Sequence, residues 1–263
     1  MRTIDAHIHL DKYEGSDLEQ VLAELGTDVE AVIAVSVDQA SCETNLDLAE
    51  RYSGTVLPAF GFHPEQPIPA QDELDRLFVW IEQHREEAVA IGEVGLPYYN
   101  RTDAEKRGER FDLEPYIALL ERFVELAVRL DKPIVLHTIY EDADITCDLL
   151  EKHGCRRAHF HYFKGANHTI ERMAANGYYI SITPDVLYEE EIRELVRKYP
   201  IDLIMAETDG PWPFEGPCAG KLTTPAMTRY VVEEIAVLRG LPASKVEEYL
   251  YRNTKRLYQL DEL

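Results

Sequence analysis

Several features that would place a protein in a special class are scarce or missing in this sequence. Cysteine occurs only four times in 263 residues, and no two cysteines form a CxxC pair. A disulfide framework and a thiolate zinc site are therefore excluded as the basis of the fold. No apolar run approaches the roughly 18 residues that a membrane-spanning helix requires. The chain begins with a strand-like pattern rather than a signal peptide, so we expect a cytoplasmic protein without membrane association.

Positively charged residues are also few relative to negatively charged ones. Lys and Arg number 27 against 49 Asp and Glu, which gives a formal net charge of −22. A surface this acidic repels polyanions unless the charge is reversed locally. The composition therefore disfavours a general nucleic-acid-binding module, and no feature of the sequence implies a protein partner.

The sequence does contain a repeated alternation of strand-like and helix-like segments. Eight short runs rich in Val, Ile, Tyr and Phe are predicted strands, at 3–10, 31–37, 56–63, 89–96, 133–138, 158–163, 178–183 and 203–209. Most are apolar at both parities, as parallel strands buried on both faces are. Without a linker or a composition break, this alternation predicts a single α/β domain over 1–263, a (β/α)8 barrel of the TIM type. An open doubly wound sheet competes, but no Gly-rich phosphate loop supports it.

The first predicted strand, TIDAHIHL, carries two histidines one residue apart. Because side chains i and i+2 of a strand point the same way, Asp5, His7 and His9 are predicted to share the face toward the barrel interior. The larger apolar residues are predicted to share the opposite face; they are Ile4, Ile8 and Leu10. The two histidines then lie near the carboxyl end of the strand, where such barrels have their active sites.

Four more predicted strands end in side chains of the same kind. In chain order these are Glu93, His137, His161 and Asp209. With His7 and His9 they bring four imidazoles and two carboxylates to one mouth, a set that suits Zn, Mn, Fe, Co or Ni. Six ligands exceed the needs of one tetrahedral zinc with an open position. The pattern therefore predicts two divalent metal ions with one bridging carboxylate, as in two-metal hydrolases.

Other residues near the predicted mouth are assigned to the substrate or to the core. His63 ends the third predicted strand and is placed to contact a leaving group or a phosphate oxygen. Tyr98, Tyr99 and Trp212 follow the fourth and eighth strands and are placed to line the mouth and stack on a substrate. His159 shares the parity of His161 but lies deeper, so we predict a structural role for it. The stretch 100–110 mixes basic and acidic residues and is predicted to be a solvated loop.

Six sequence blocks, in order, resemble those of the TatD family of metal-dependent hydrolases in the amidohydrolase superfamily. The blocks are DAHIHL, GFHPE, IGEVGL, KPIVLHT, HYFKG and ETDGPW, and they run the length of the chain. The resemblance implies two metal sites that share Glu93. It implies one site with His7, His9, Glu93 and Asp209, and a second with Glu93, His137 and His161. It also implies a deoxyribonuclease-like activity on DNA ends with magnesium- or zinc-type ions.

Two positions depart from that family pattern. Pro97 stands where the family has an Asp after GEIGL, and Ile139 stands where it has an Arg two residues after the fifth-strand histidine. An arginine there would contact a substrate phosphate. Its replacement by Ile139 favours a substrate other than DNA, whereas all six ligand positions are intact.

Three functions remain open from the sequence. The first is hydrolysis of a phosphodiester by a metal-activated water, with Asp209 as general base and Glu93 bridging the ions. Two divalent ions would make the pocket locally positive, so a small anionic substrate or a nucleic-acid end is the predicted partner. The second is a two-metal amidohydrolase, lactonase or esterase acting on a small molecule. The third is a non-catalytic scaffold, which has no need for six converging ligands.

Overall fold

The fold is an eight-stranded parallel barrel. A computed structural model describes residues 2–27 and 29–260. Each strand pairs in parallel with the next one in the sequence. The strands are β1 Thr3–Ile8, β2 Val29–Val35, β3 Val56–Phe60, β4 Ala90–Gly95, β5 Ile134–His137, β6 Ala158–Phe160, β7 Tyr179–Ile182 and β8 Ile204–Ala206. The predicted domain limits at 1 and 263 lie outside the described residues.

Ten α-helices accompany the strands in the described ranges. They are α1 Gly15–Ala23, α2 Gln39–Arg51, α3 Gln71–Gln83, α4 Tyr98–Lys106, α5 Glu114–Leu130, α6 Asp142–His153, α7 Asn167–Asn176, α8 Glu190–Lys198, α9 Thr228–Arg239 and α10 Ala243–Tyr258. The predicted (β/α)8 barrel is confirmed. No helix in the described part of the chain combines the length and the hydropathy that crossing a bilayer demands.

The first and last strands meet at their carboxyl ends. The backbone N–H of Asp209 donates to the carbonyl of His7 over 2.9 Å, and the N–H of His9 donates to the carbonyl of Gly210 over 2.8 Å. The fully buried carboxylate of Asp5 also accepts the N–H of Thr208 over 2.9 Å. These contacts draw the two edges of the sheet together just below the barrel mouth.

An apolar cluster fills the interior below the mouth. It combines inward-facing strand residues with the end of α10, where Leu257 and Tyr258 close the bottom of the barrel. His159 lies in this layer, with its Nδ1 2.7 Å from the Tyr258 hydroxyl and its Nε2 against the Ser181 hydroxyl. Because both ring nitrogens have partners, neither is available to a metal ion.

Seven of the eight strands are shorter than their sequence patterns predicted, the exception being β2. His7, Glu93 and His137 lie within strands, whereas other chemically important residues lie in the loops just beyond them. Those loop residues are His9, His63, His161 and Asp209. The hydrogen bonds between neighbouring strands end early because the strands must separate at their carboxyl ends to surround a site. Apolar composition therefore overstates strand length at that end.

Two local predictions were wrong. The register of β1 against β2 shifts between Asp5 and Ile8, which interrupts simple alternation. Ile4 therefore packs in the interior cluster, while Ile8 packs on the outer side with Val21 of α1. In addition, α4 occupies most of the stretch 100–110 that was predicted to be a loop.

Candidate active site

Glu93 stands at the centre of the barrel mouth and is fully buried. Its Oε2 lies 3.4 Å from Nε2 of His7 and 3.4 Å from Nε2 of His9. Its Oε1 lies 3.0 Å from Nδ1 of His137 and 2.7 Å from Nε2 of His161. The two oxygens of one carboxylate therefore face two different pairs of imidazoles.

Asp209 completes the side that contains His7 and His9. Its Oδ1 lies 3.3 Å from Nε2 of His7 and 3.5 Å from Nε2 of His9. The Asp209 side chain is 18% exposed, whereas that of Glu93 is 0% exposed. Asp209 therefore lies at the boundary between the buried histidines and the open cavity, where it can meet water or substrate.

Many polar atoms of this cluster are buried without hydrogen-bond partners. They include both ring nitrogens of His7, Nδ1 of His9, Oε2 of Glu93 and Nδ1 of His161. Such atoms are costly unless another group satisfies them. Several ligand atoms also lie within 4.8 Å of one another in sets of three: His7–His9–Glu93, His7–His161–Asp209 and His63–Glu93–His137. Imidazole and carboxylate donors grouped in this way fit divalent metal ions.

The electrostatics of the cluster keep its carboxylates charged. Burial alone raises the pKa of Glu93, but the neighbouring imidazoles of His161, His63 and His7 outweigh it and hold that pKa well below its usual range. Burial also raises the pKa of Asp209, and hydrogen bonds from His7 and His9 reverse this to a value well below normal. Both side chains are therefore ionised at neutral pH, as ligation of a cation requires.

His63 presents a hydrogen-bond donor to the mouth. Its Nδ1 accepts the backbone N–H of Glu65 over 3.1 Å. Burial lowers the pKa of His63 to about 3, so the ring is neutral and its proton belongs on Nε2. That nitrogen lies 3.5 Å from Oε1 of Glu93. A protonated Nε2 cannot ligate a metal, but it can donate to an oxygen of a substrate.

A cavity of about 760 Å³ opens above this cluster. Trp212 stands on its rim with 63% of its surface exposed. Tyr99 lines the cavity, whereas Tyr98 packs against Tyr140 and Arg101 instead. Among the described lining residues, the single Lys or Arg is Lys12. A larger groove of about 1030 Å³ lies along α3, away from the histidines.

Comparison with known proteins agrees with this architecture. The family model described as TatD related DNase matches residues 4–259. The chain belongs to the TatD family. The resemblance found in the six sequence blocks is thereby confirmed.

Relatives of this TatD protein cover nearly all of its length. A protein of Haemophilus influenzae described as an uncharacterized metal-dependent hydrolase is 35% identical over 256 residues, which is 97% of this chain and 99% of that protein. Human deoxyribonuclease TATDN3 is 30% identical, over 97% of this chain and 94% of its own. The crystal structure of YJJV, a TatD homolog from Escherichia coli, matches with a TM-score of 0.84 at 27% identity and 98% coverage of both chains. The protein is a metal-dependent hydrolase.

Within this TatD barrel, the two departures from the family pattern have structural consequences. Pro97 directly precedes α4, a helix that carries Tyr99 and Asn100 into the cavity wall. Ile139 is only 2% exposed, so it packs in the protein interior. Position 139 therefore contributes an apolar side chain to the interior and no cation to the cavity.

The sequence pattern did not single out two carboxylates beside the site, the buried Glu207 and the partly buried Glu65. Glu207 accepts the N–H of Tyr162 over 2.9 Å, and its Oε2 lies 3.8 Å from Nδ1 of His161. Burial raises the pKa of Glu207 to about 8. Glu65, two residues after His63, contacts both α4 and His137. The sequence did offer a signal for each: Glu207 lies in the ETD block with Asp209, and Glu65 lies in the GFHPE block with His63.

Proposed function

We propose that this hydrolase cleaves phosphodiester bonds, at a DNA end or in a small phosphodiester, with two divalent metal ions in the barrel mouth. The observation that carries the proposal is the division of the Glu93 carboxylate between two pairs of imidazoles. In two-metal hydrolases a shared carboxylate holds both ions, and Glu93 would take that place here. One ion would be held by His7, His9, Glu93 and Asp209, and the other by Glu93, His137 and His161.

When bound, two such ions supply an activated water and stabilise the negative charge that develops on the substrate. The residues of the chain then have separate tasks. Asp209, which is partly exposed to the cavity, accepts the proton of the attacking water and orients it. Glu93 is fully buried, which suits a residue that would hold metal ions rather than one that exchanges protons with solvent. The Nε2–H of His63 donates to a phosphate oxygen or to the leaving oxygen.

Features of the cavity support a nucleotide-like substrate. Trp212 at the rim and Tyr99 in the wall offer aromatic faces on which a base can stack. Lys12 adds a positive charge beside the histidines. The ions would offset the two ligand carboxylates, so the mouth would be locally positive on a protein of net charge −22. The human relative is named a deoxyribonuclease, which agrees with this substrate class.

A second candidate function is hydrolysis of a small amide, lactone or ester by the same centre. It is favoured by the burial of Ile139, because that position offers no cation to a phosphate. A cavity whose described lining includes one lysine and no arginine also suits a less charged substrate.

The test is hydrolysis of an end-labelled DNA oligonucleotide and of a small phosphodiester by protein with measured metal content. We expect metal-dependent cleavage by the wild type and none by chelated protein or by Glu93→Gln. If a chain that holds two ions cleaves neither compound but does hydrolyse lactones or esters, the second candidate replaces the first. If the active protein holds a single ion, the two-metal proposal is overturned.

A further inference from the structure

We propose that Glu65 is a positioning residue that orients His137 for metal binding and anchors helix α4 through the same carboxylate. The inference rests on the proposed role of His137 as a ligand. It concerns a side chain in the loop after β3, only 13% exposed.

The first set of contacts joins Glu65 to α4. Its Oε1 accepts the backbone N–H of Tyr99 over 2.7 Å, and its Oε2 accepts that of Asn100 over 2.8 Å. Both N–H groups belong to the first turn of the helix, where they have no partner within the helix and where a negative charge is favourable. Glu65 thus fixes the helix that supplies Tyr99 and Asn100 to the cavity wall.

The second contact joins the same carboxylate to His137. Nδ1 of His137 faces the ligand cluster, 3.0 Å from Oε1 of Glu93 and 3.2 Å from Nε2 of His161. If Nδ1 binds a metal ion, the ring proton must be on Nε2. That Nε2 is buried and makes no hydrogen bond with any other described residue, and it lies 3.5 Å from Oε1 of Glu65. A carboxylate beside the outer N–H of a ligating histidine fixes both its tautomer and its ring orientation.

These two sets of contacts make Glu65 more than a helix cap. A cap alone requires an acceptor at the first turn, which a residue next to α4 or solvent can provide. Glu65 instead reaches α4 from 34 residues earlier in the chain and places one oxygen between the helix and the imidazole. One carboxylate therefore contacts both His137, on the metal side of the cavity, and α4, which forms part of the substrate side.

The experiment is a calorimetric titration of Mn²⁺ into the full-length chain after removal of bound metal. Wild type is expected to bind two ions. Glu65→Ala is expected to weaken the binding of one ion about 10- to 100-fold and to leave the other unchanged. The matched control is Glu24→Ala, because Glu24 also accepts a backbone N–H, that of Ala226 over 2.9 Å, and does not line the cavity. This control should bind both ions as the wild type does.

A further variant separates positioning from helix capping. Asn100→Pro removes one N–H that Glu65 accepts and keeps the carboxylate; Asn100 is the third residue of α4, so the helix itself loses no hydrogen bond. We expect its Mn²⁺ affinities to match wild type. If it loses as much affinity as Glu65→Ala, the effect passes through α4 and the positioning role is overturned.

Two outcomes further separate the proposals. Wild-type affinities in a folded Glu65→Ala chain, checked by circular dichroism, overturn the role of Glu65; if that chain does not fold, the same criterion applies to Glu65→Gln, in which only one side-chain oxygen remains. A wild-type chain that binds one ion overturns the two-metal proposal, but a loss of affinity for that ion in Glu65→Ala would still support the positioning role.

Discussion

The backbone N–H of Asp209 donates to the carbonyl oxygen of His7 over 2.9 Å, while the side chains of the same two residues face each other at 3.3 Å. The first contact joins the loop that follows the last strand to the first strand. The second places a carboxylate oxygen beside an imidazole nitrogen in the candidate metal centre. The contact that helps to close the barrel therefore also brings together two side chains of the site.

Replacement of His63 by alanine should separate substrate contact from metal binding. Because Nε2 of His63 carries the proton, His63→Ala removes a donor and no ligand. We expect kcat to fall about 10- to 100-fold, the value of a hydrogen bond to a charged group, with metal content unchanged by elemental analysis. His137→Ala, measured in parallel, should lose metal. Loss of metal from His63→Ala would contradict the tautomer assigned here.

Removal of the exposed indole of Trp212 should weaken binding of a substrate that ends in a base. Stacking of one base on an aromatic side chain contributes about 1–3 kcal/mol, so Trp212→Ala should raise KM for an oligonucleotide about 5- to 150-fold. An oligonucleotide with a terminal abasic site should show no difference between the two proteins. Tyr52→Ala is a suitable control, since Tyr52 is exposed and does not line the cavity. An unchanged KM for the intact oligonucleotide would rule out the stacking role.

A methyl group at Gly95 should disrupt the pairing of β4 with β5. Gly95 pairs with His137, and a Cβ there would lie 2.0 Å from the carbonyl oxygen of His137. We expect Gly95→Ala to lower the free energy of unfolding by about 3 kcal/mol or more in urea denaturation. In the control Gly108→Ala, the Cβ meets nothing within 4 Å and only the φ of 74° is unfavourable, which costs about 1–2 kcal/mol. If the two variants lose the same free energy of unfolding, the close approach of β4 and β5 at Gly95 does not explain the cost of the methyl group.

The stability of the metal-free protein should depend on pH through Asp5. Burial raises the pKa of Asp5 from 3.8 to about 7. Between these values the folded chain keeps a proton that the unfolded chain has released. The free energy of unfolding should therefore fall as pH rises from 4 to 7, by at most about 1.4 kcal/mol per pH unit from this group.

Asp5→Asn isolates that contribution in chemical denaturation with chelator present. Its amide can keep the contacts to Thr208 and to the N–H of His7, since it offers both an acceptor and a donor. We expect the variant to lose less stability than wild type between pH 4 and 7. Parallel pH profiles for the two proteins would show that Asp5 is ionised throughout this range.

Much of the fold, and which residues gather in the candidate site, could be predicted from local patterns. Eight apolar runs with intervening amphipathic helices predict a parallel barrel because buried strands and their covering helices carry distinct periodicities. Polar residues near the ends of those runs predict a shared site because all carboxyl ends of a parallel barrel lie on one side. Both arguments need only the order of residues along the chain.

Other features could not be read from local patterns. The register shift in β1 places Ile4 inside the barrel, although period-two alternation assigns it to the outside. Both Tyr98 and Tyr99 were predicted at the mouth, but the start of α4 after Pro97 brings only Tyr99 of the two into the described cavity lining. In a strand, a shift of one residue turns a side chain to the opposite face. The hydropathy pattern does not locate such a shift to the exact residue.

By itself the sequence determined the number and order of strands, the family, and which imidazoles and carboxylates reach the carboxyl ends. Only the tertiary structure decided how these groups face one another: the two oxygens of Glu93 toward separate histidine pairs, Nδ1 of His63 toward a backbone N–H, and Glu65 between α4 and His137. The physical reason is distance along the chain. These contacts join residues of different strands and loops, and their geometry depends on how the strands close into a barrel, which no local periodicity encodes.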